Sequence, residues 1–154
     1  MQFDRYARAN AVALIVPTAL MAGALGSQYI GGLYPCEMCH WQRWPHYAAI
    51  VIALVAFFLK PPMRPVLIAL AGLAILTSGA IGAYHAGVEY HWWEGITTCS
   101  STAAGSSLED LMRAPLIRCD AAQWTLGGVS LAGFNAIFSI IGGLAVLFMV
   151  KRAS

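Results

Sequence analysis

Cys36-Glu37-Met38-Cys39 sets two thiols two residues apart, and Cys99 and Cys119 are the other two cysteines of the chain. A C-x-x-C pair can close a small disulfide ring, hold half of a metal site or attach a haem. Read with His40, the stretch is C-x-x-C-H, the attachment pattern of c-type haem. That reading leaves Cys99 and Cys119 without a role. A structural zinc site commonly needs two close pairs. Cys99 and Cys119 are 20 residues apart, and His85 and His91, the candidates to complete such a site, have no tight spacing. Static disulfides with no electron flow are a further alternative.

Redox exchange uses more of the residues. A C-x-x-C at a helix N-terminus is activated by the positive end of the helix dipole. Arg43 lies four residues after Cys39, so on a helix it shares that face one turn further in. A fixed cation there stabilises a thiolate, or an anion formed on a bound acceptor. Glu37 is expected to oppose it by like charge. A C-x-x-C beside lipid, with a second pair in a long loop, suggests a relay of thiol–disulfide exchange. The electrons need an acceptor, and no flavin motif is visible. By elimination, a lipid-soluble quinone in a groove between helices fits.

The elements that must position these residues are apolar. Of 154 residues, 59% are apolar and only 10% charged, with mean hydropathy +0.67. A soluble domain averages about 45–50% apolar and about 25% charged, so the class expected is an all-α membrane protein. The net charge of +2 gives no electrostatic case for a nucleic-acid partner. One membrane domain is expected over residues 1–154, with spans at about 10–33, 44–59, 66–87 and 129–150. Ala22-Gly23-Ala24 resembles a signal-peptide cleavage site. The apolar character continues through Tyr29, Ile30 and Leu33, however, so a retained span is expected, with Pro17 as a candidate kink. Trp41, Trp44 and Tyr47 suit an interfacial aromatic belt, and His46 is grouped with them. Lys60-Pro61-Pro62-Met63-Arg64-Pro65 reads as a basic turn.

Four spans put both termini on one side. Arg5, Arg8, Lys60, Arg64, Lys151 and Arg152 fall there, against Arg43, Arg113 and Arg118 on the other. The positive-inside rule therefore expects both termini in the cytoplasm. All four cysteines then lie outside, in loops at about 34–43 and 88–128, where disulfides form and persist. Within the second loop, Ser107 and Asp110 form a capping signal, and Leu108, Leu111 and Met112 share one face. A short amphipathic helix on the membrane surface is expected there.

Together these residues resemble the disulfide bond formation protein B (DsbB) family of bacterial inner membranes. The resemblance rests on Cys36-x-x-Cys39-x-x-x-Arg43, on Cys99 and Cys119, and on Tyr84-His85-Ala86-Gly87-Val88-Glu89. Cys119-Asp120 followed by Trp124, Gly127, Ser130 and Asn135 adds to it. It implies a four-helix bundle that reoxidises a periplasmic thioredoxin-like oxidase (DsbA) and reduces ubiquinone or menaquinone. It implies that Cys99 forms the mixed disulfide with the partner and that Cys119 attacks Cys36. Cys39 would face the quinone as a thiolate and Arg43 would polarise it. The family's helper histidine matches either His85 or His91. The resting pairing it implies is Cys36–Cys39 with Cys99–Cys119.

Overall fold

The computed structural model describes residues 2–97, 100–101 and 116–153. These form helices α1 (Gln2–Tyr29), α2 (Glu37–Phe57) and α3 (Met63–Glu89), then four two-residue strands and α4 (Leu131–Ala153). Strand β1 (Ser100–Ser101) pairs antiparallel with β2 (Leu116–Ile117), and β3 (Thr125–Leu126) with β4 (Val129–Ser130). Gly127 and Gly128, with φ of +59° and +82°, supply the left-handed turn that joins β3 to β4. Cys99 and the expected amphipathic helix at 107–113 lie outside the described residues.

α1, α3 and α4 each carry a stretch long and apolar enough to cross a membrane. The α2 stretch falls short of that hydropathy because Glu37, His40, Gln42, Arg43 and His46 sit in its first half. Its outer face is nonetheless lipid-like: Val51, Leu54, Val55 and Phe57 are all exposed. The bundle interior is made of small residues instead. Ala9, Ala13, Ala49, Ala53, Ala56 and Ala71 are fully buried, beside Ile68, Ile75 and Val146. Large apolar groups outside and small ones inside is the distribution of a membrane helical bundle, where close backbone approach replaces the hydrophobic drive. Helix α3 packs against both α2 and α4, and α1 closes the ring against α2 and α4.

The helices depart from the apolar runs at their ends. α1 stops at Tyr29, short of Leu33, because Ile30 and Gly31 N–H both donate to the Gly26 carbonyl and Gly32 turns left-handed at φ +68°. α2 begins at Glu37 rather than about residue 44, since Cys36 caps it through a sulfur that accepts the Cys39 N–H. Pro65, expected in the basic turn, lies in the first turn of α3, where no intrahelical N–H bond is lost. Pro45 is inside α2 and Pro17 inside α1.

Gly82 lies at a close approach of α3 to α4. A Cβ there would stand 2.9 Å from Asn135 Nδ2 and 3.0 Å from the Ala132 carbonyl oxygen. Gly82→Ala is expected to destabilise the detergent-solubilised protein by about 1–3 kcal/mol, an overpacking cost. At Gly26 a Cβ meets nothing within 4 Å, so Gly26→Ala should leave thermal unfolding within about 0.5 kcal/mol of the parent or raise it. Equal losses in the two variants would refute the packing account.

Candidate active site

The site grows from the start of α2. Cys36 is the N-cap residue, 1% exposed, and its Sγ accepts the Cys39 N–H at 3.2 Å. One helical turn brings the two sulfurs to 2.8 Å as free thiols. A disulfide requires about 2.05 Å, so a small side-chain movement suffices to bond them. Both residues precede the apolar run that starts near Trp44. The hydrogen bond between the sulfurs treats the two unequally. It pushes the Cys36 thiol well up, with burial adding to the rise. It draws the Cys39 thiol down, against burial, helped by a backbone hydrogen bond from Cys36 and by the Arg43 charge. Cys39 is therefore the sulfur that ionises first. Its opposing carboxylate is Glu89, not Glu37, which points to solvent.

His85 joins the pair from α3. It is 2% exposed, and its Nε2 lies 3.6 Å from Cys36 Sγ and 3.8 Å from Glu89 Oε1. Its tautomer follows from the neighbouring amide: Gln42 Nε2 donates to His85 Nδ1 at 2.8 Å, leaving the proton on Nε2. The ring also hydrogen-bonds the Cys119 backbone. Cys119, 6% exposed, packs with Cys36, Met38, Val88 and Ile117 in one buried cluster. Beside it, Arg118 clamps Asp120 through two hydrogen bonds of 2.8 and 2.6 Å. That clamp holds the Asp120 carboxyl down at about 2.

Gln42 continues a polar chain into the bundle. Asn135 Nδ2 donates to Gln42 Oε1 at 2.8 Å, and Asn135 Oδ1 receives His46 Nε2–H at 2.9 Å. The Ser139 hydroxyl donates to the same Oδ1 at 3.0 Å, and the Ser78 hydroxyl to the Gln42 carbonyl at 2.7 Å. His46 is thus a core residue, 2% exposed, whereas Trp44 is 65% exposed.

On the other side of α2 a cavity of about 370 Å³ opens between α1, α2 and α4. Its wall is mostly apolar, including Leu20, Met21, Phe134 and Phe138, with Ser27, Cys39, Gln42, Arg43, His46 and Asn135 among its polar groups. Arg43 is held on this wall by α1: it donates to Gln28 Oε1 at 2.6 Å and to the Ala24 carbonyl at 3.3 Å. A second pocket, of about 60 Å³, lies against Cys36, Cys39, His85 and Glu89.

The structure thus gathers Cys36, Cys39, Cys119, Arg43 and His85. His91 stands apart, exposed just after α3 with φ +58°. Sequence reasoning missed Gln42, His46, Ser78, Ser139 and Glu89 as site residues and used Asn135 only for resemblance. The available signal was a polar residue inside an apolar run, which in a membrane needs a partner.

The family model described as disulfide bond formation protein DsbB matches residues 6–149. The chain is 31% identical over 156 residues to disulfide bond formation protein B of Polaromonas sp., covering 94% of this chain and 90% of that protein. It is 30% identical over 144 residues to the protein of that name from Azoarcus sp., covering 86% and 84%. With the one from Marinobacter nauticus it shares 26% over 153 residues, covering 91% and 89%. No solved structure matches the chain.

The unequal thiols give a pH prediction, best made in a Cys99→Ser/Cys119→Ser background. The hydrogen bond from position 36 favours the Cys39 thiolate, so its alkylation should set in at lower pH than for an ordinary thiol. Cys36→Ser keeps a donor and should preserve that profile. Cys36→Ala removes it and should move the midpoint upward. A Cys36→Ala profile coincident with Cys36→Ser would rule the hydrogen bond out as the cause.

Proposed function

Because the chain belongs to the disulfide bond formation protein DsbB family, we propose that it reoxidises a periplasmic, thioredoxin-fold DsbA-like oxidase and passes the electrons to a membrane quinone, ubiquinone or menaquinone. The observation that carries this reading is the position of Cys39 and Arg43 on the wall of the 370 Å³ apolar cavity. A cavity of that size and lining, with a few convergent polar groups, suits a quinone ring. When bound there, the quinone supplies a two-electron, two-proton acceptor.

The protein's own residues then act in sequence. A partner thiolate attacks the Cys99–Cys119 disulfide at Cys99, forming the mixed disulfide and freeing Cys119. The second partner thiol resolves it as the partner leaves oxidised. Cys119, in the same buried cluster as Cys36, attacks Cys36 and expels Cys39 as the thiolate. Cys99 closes back on Cys119, leaving Cys36 and Cys39 reduced. Their reoxidation delivers two electrons and two protons to the acceptor, so the balance is one partner dithiol oxidised per quinone reduced. Arg43 holds anionic charge beside Cys39. His85, with its N–H toward Cys36, is placed to give or take the proton of that sulfur; His91 is too exposed for the role.

The same reading makes residues 1–154 one domain in the bacterial inner membrane, with four spans, both termini cytoplasmic and the cysteine loops periplasmic. Within α2 the span starts near residue 44, with Cys39 and Arg43 in the outer turns of the helix.

The test is oxidation of a reduced thioredoxin-like partner by the purified protein and a short-chain quinone. Cys39→Ser should fall to the uncatalysed rate. Arg43→Ala should lower kcat/KM for quinone about 10- to 100-fold, the worth of a charged hydrogen bond at about 1.5–3 kcal/mol. Partner oxidation undiminished in Cys39→Ser would sink the proposal.

A further inference from the structure

The 60 Å³ pocket beside the thiols is not used by the electron path, yet four metal-type ligands face it. The sulfurs of Cys36 and Cys39 and a ring nitrogen of His85 all lie within 4.8 Å of one another. Glu89 Oε1 is 3.8 Å from His85 Nε2, and Glu89 Oε2 is buried without a partner among the described residues. A tetrahedral zinc ion, with Zn–S near 2.3 Å and Zn–N or Zn–O near 2.0 Å, spaces its ligand atoms roughly 3.3–3.8 Å apart. The Cys36–His85 separation, 3.6 Å, already matches, and the His85–Glu89 separation, 3.8 Å, must close by about half an ångström. The sulfurs, at 2.8 Å, must part by about an ångström.

We propose that the reduced Cys36–Cys39 pair, with His85 and Glu89, is a binding site for one thiophilic divalent cation of the zinc class. From sequence the zinc reading failed for want of a second close pair; α3 supplies it by carrying two ligands one helical turn apart. Two thiolates and a carboxylate overbalance a dication by one negative charge, and Arg43, on the same pocket wall, offsets it. Binding displaces the two thiol protons and changes no oxidation state. The site exists only in the dithiol state, because a Cys36–Cys39 disulfide has no thiolate to offer. A bound ion therefore holds the pair reduced and withdraws it from disulfide exchange.

Ligation through Nε2 also requires the His85 proton on Nδ1, opposite to its present tautomer. Gln42 must then turn its Oε1 to that proton and give up the Asn135 bond. A carboxylate at position 42 would accept the proton without that loss, as in the carboxylate–histidine–metal arrangement.

The experiment titrates Co²⁺ into the reduced, detergent-solubilised Cys99→Ser/Cys119→Ser protein, with no quinone and no partner present. One equivalent should give thiolate-to-cobalt charge transfer and visible bands of tetrahedral intensity, displaced by Zn²⁺ and absent from the protein oxidised to the Cys36–Cys39 disulfide. Glu89→Gln should weaken binding about tenfold and His85→Ala about 100-fold, at least the cost of losing an outer-shell partner. Gln42→Glu should tighten it. Octahedral-intensity bands, affinity unchanged in both His85→Ala and Glu89→Gln, or weaker binding in Gln42→Glu overturns the site. Since the titration contains no quinone, its failure and failure of the quinone assay are separate results.

Discussion

The hydrogen-bond chain from Ser139 and His46 through Asn135 and Gln42 to His85 is the constraint on which the arrangement depends. Its members are buried or half-buried in the bundle, where each unpaired amide or imidazole costs roughly 1–3 kcal/mol. They bond one another across the helices, with His46 Nδ1 left without a partner among the described residues. Gln42 and His46 come from α2, Ser78 and His85 from α3, Asn135 and Ser139 from α4. Joint satisfaction therefore fixes the rotation of three helices about their axes. Apolar packing between alanines would permit several rotations; this chain of polar groups permits few. Gly82 is part of the same solution, because a side chain there would take the place of Asn135.

Once those rotations are fixed, α2 has two functional edges. One carries Cys36 toward His85 and Cys119. The other carries Cys39 and Arg43 to the apolar cavity. The hydrogen bond between the sulfurs then makes the two thiols chemically different, although they share one helical turn. Cys36 is the buried proton holder and Cys39 the more acidic sulfur. The charges agree with that division. Arg43, tied to α1 through Gln28, favours charge on Cys39 from the cavity side, and Glu89 resists it from the other.

The apolar helices and the pairing of C-x-x-C with Arg43 were legible in the sequence because composition and spacing state them directly. The start of α2 was not. Its first turn is polar, so hydropathy set the boundary near Trp44, while the Cys36 sulfur cap sets it at Glu37. His46 was misread for a related reason: beside Trp44 and Tyr47 it looks interfacial, and only the i, i+4 spacing from Gln42 turns it inward. The assignment of Glu37 as the charge acting on the thiols failed because sequence proximity is not proximity on a helix. Glu89 reaches Cys39 from another helix, at a sequence distance that no local pattern reveals. The choice between His85 and His91 needed the end of α3, which keeps His85 on the buried face and leaves His91 in a left-handed turn.

Cys39 lies on the shared wall of two spaces that demand opposite properties. The larger cavity is mostly apolar, which suits a lipid-soluble acceptor and strengthens the field of Arg43. The smaller pocket carries more polar surface, with Cys36, Arg43, His85 and Glu89 on its wall, and faces the loop carrying Cys119. Ser27, Trp124, Leu131 and Ala132 line both, so the partition between them is only about a side chain thick. Gln123 draws that loop onto the start of the site by donating to the Tyr34 carbonyl at 2.6 Å. A thiol on such a partition can exchange with a sulfur on one side and transfer electrons on the other without moving its backbone. A neighbouring acid and base on the polar side are what let protons follow. The proposed proton path and the proposed metal site share this pocket. Whatever geometry favours a reactive dithiol beside a histidine and a carboxylate also favours a metal, and only the oxidised state of the pair removes that competition.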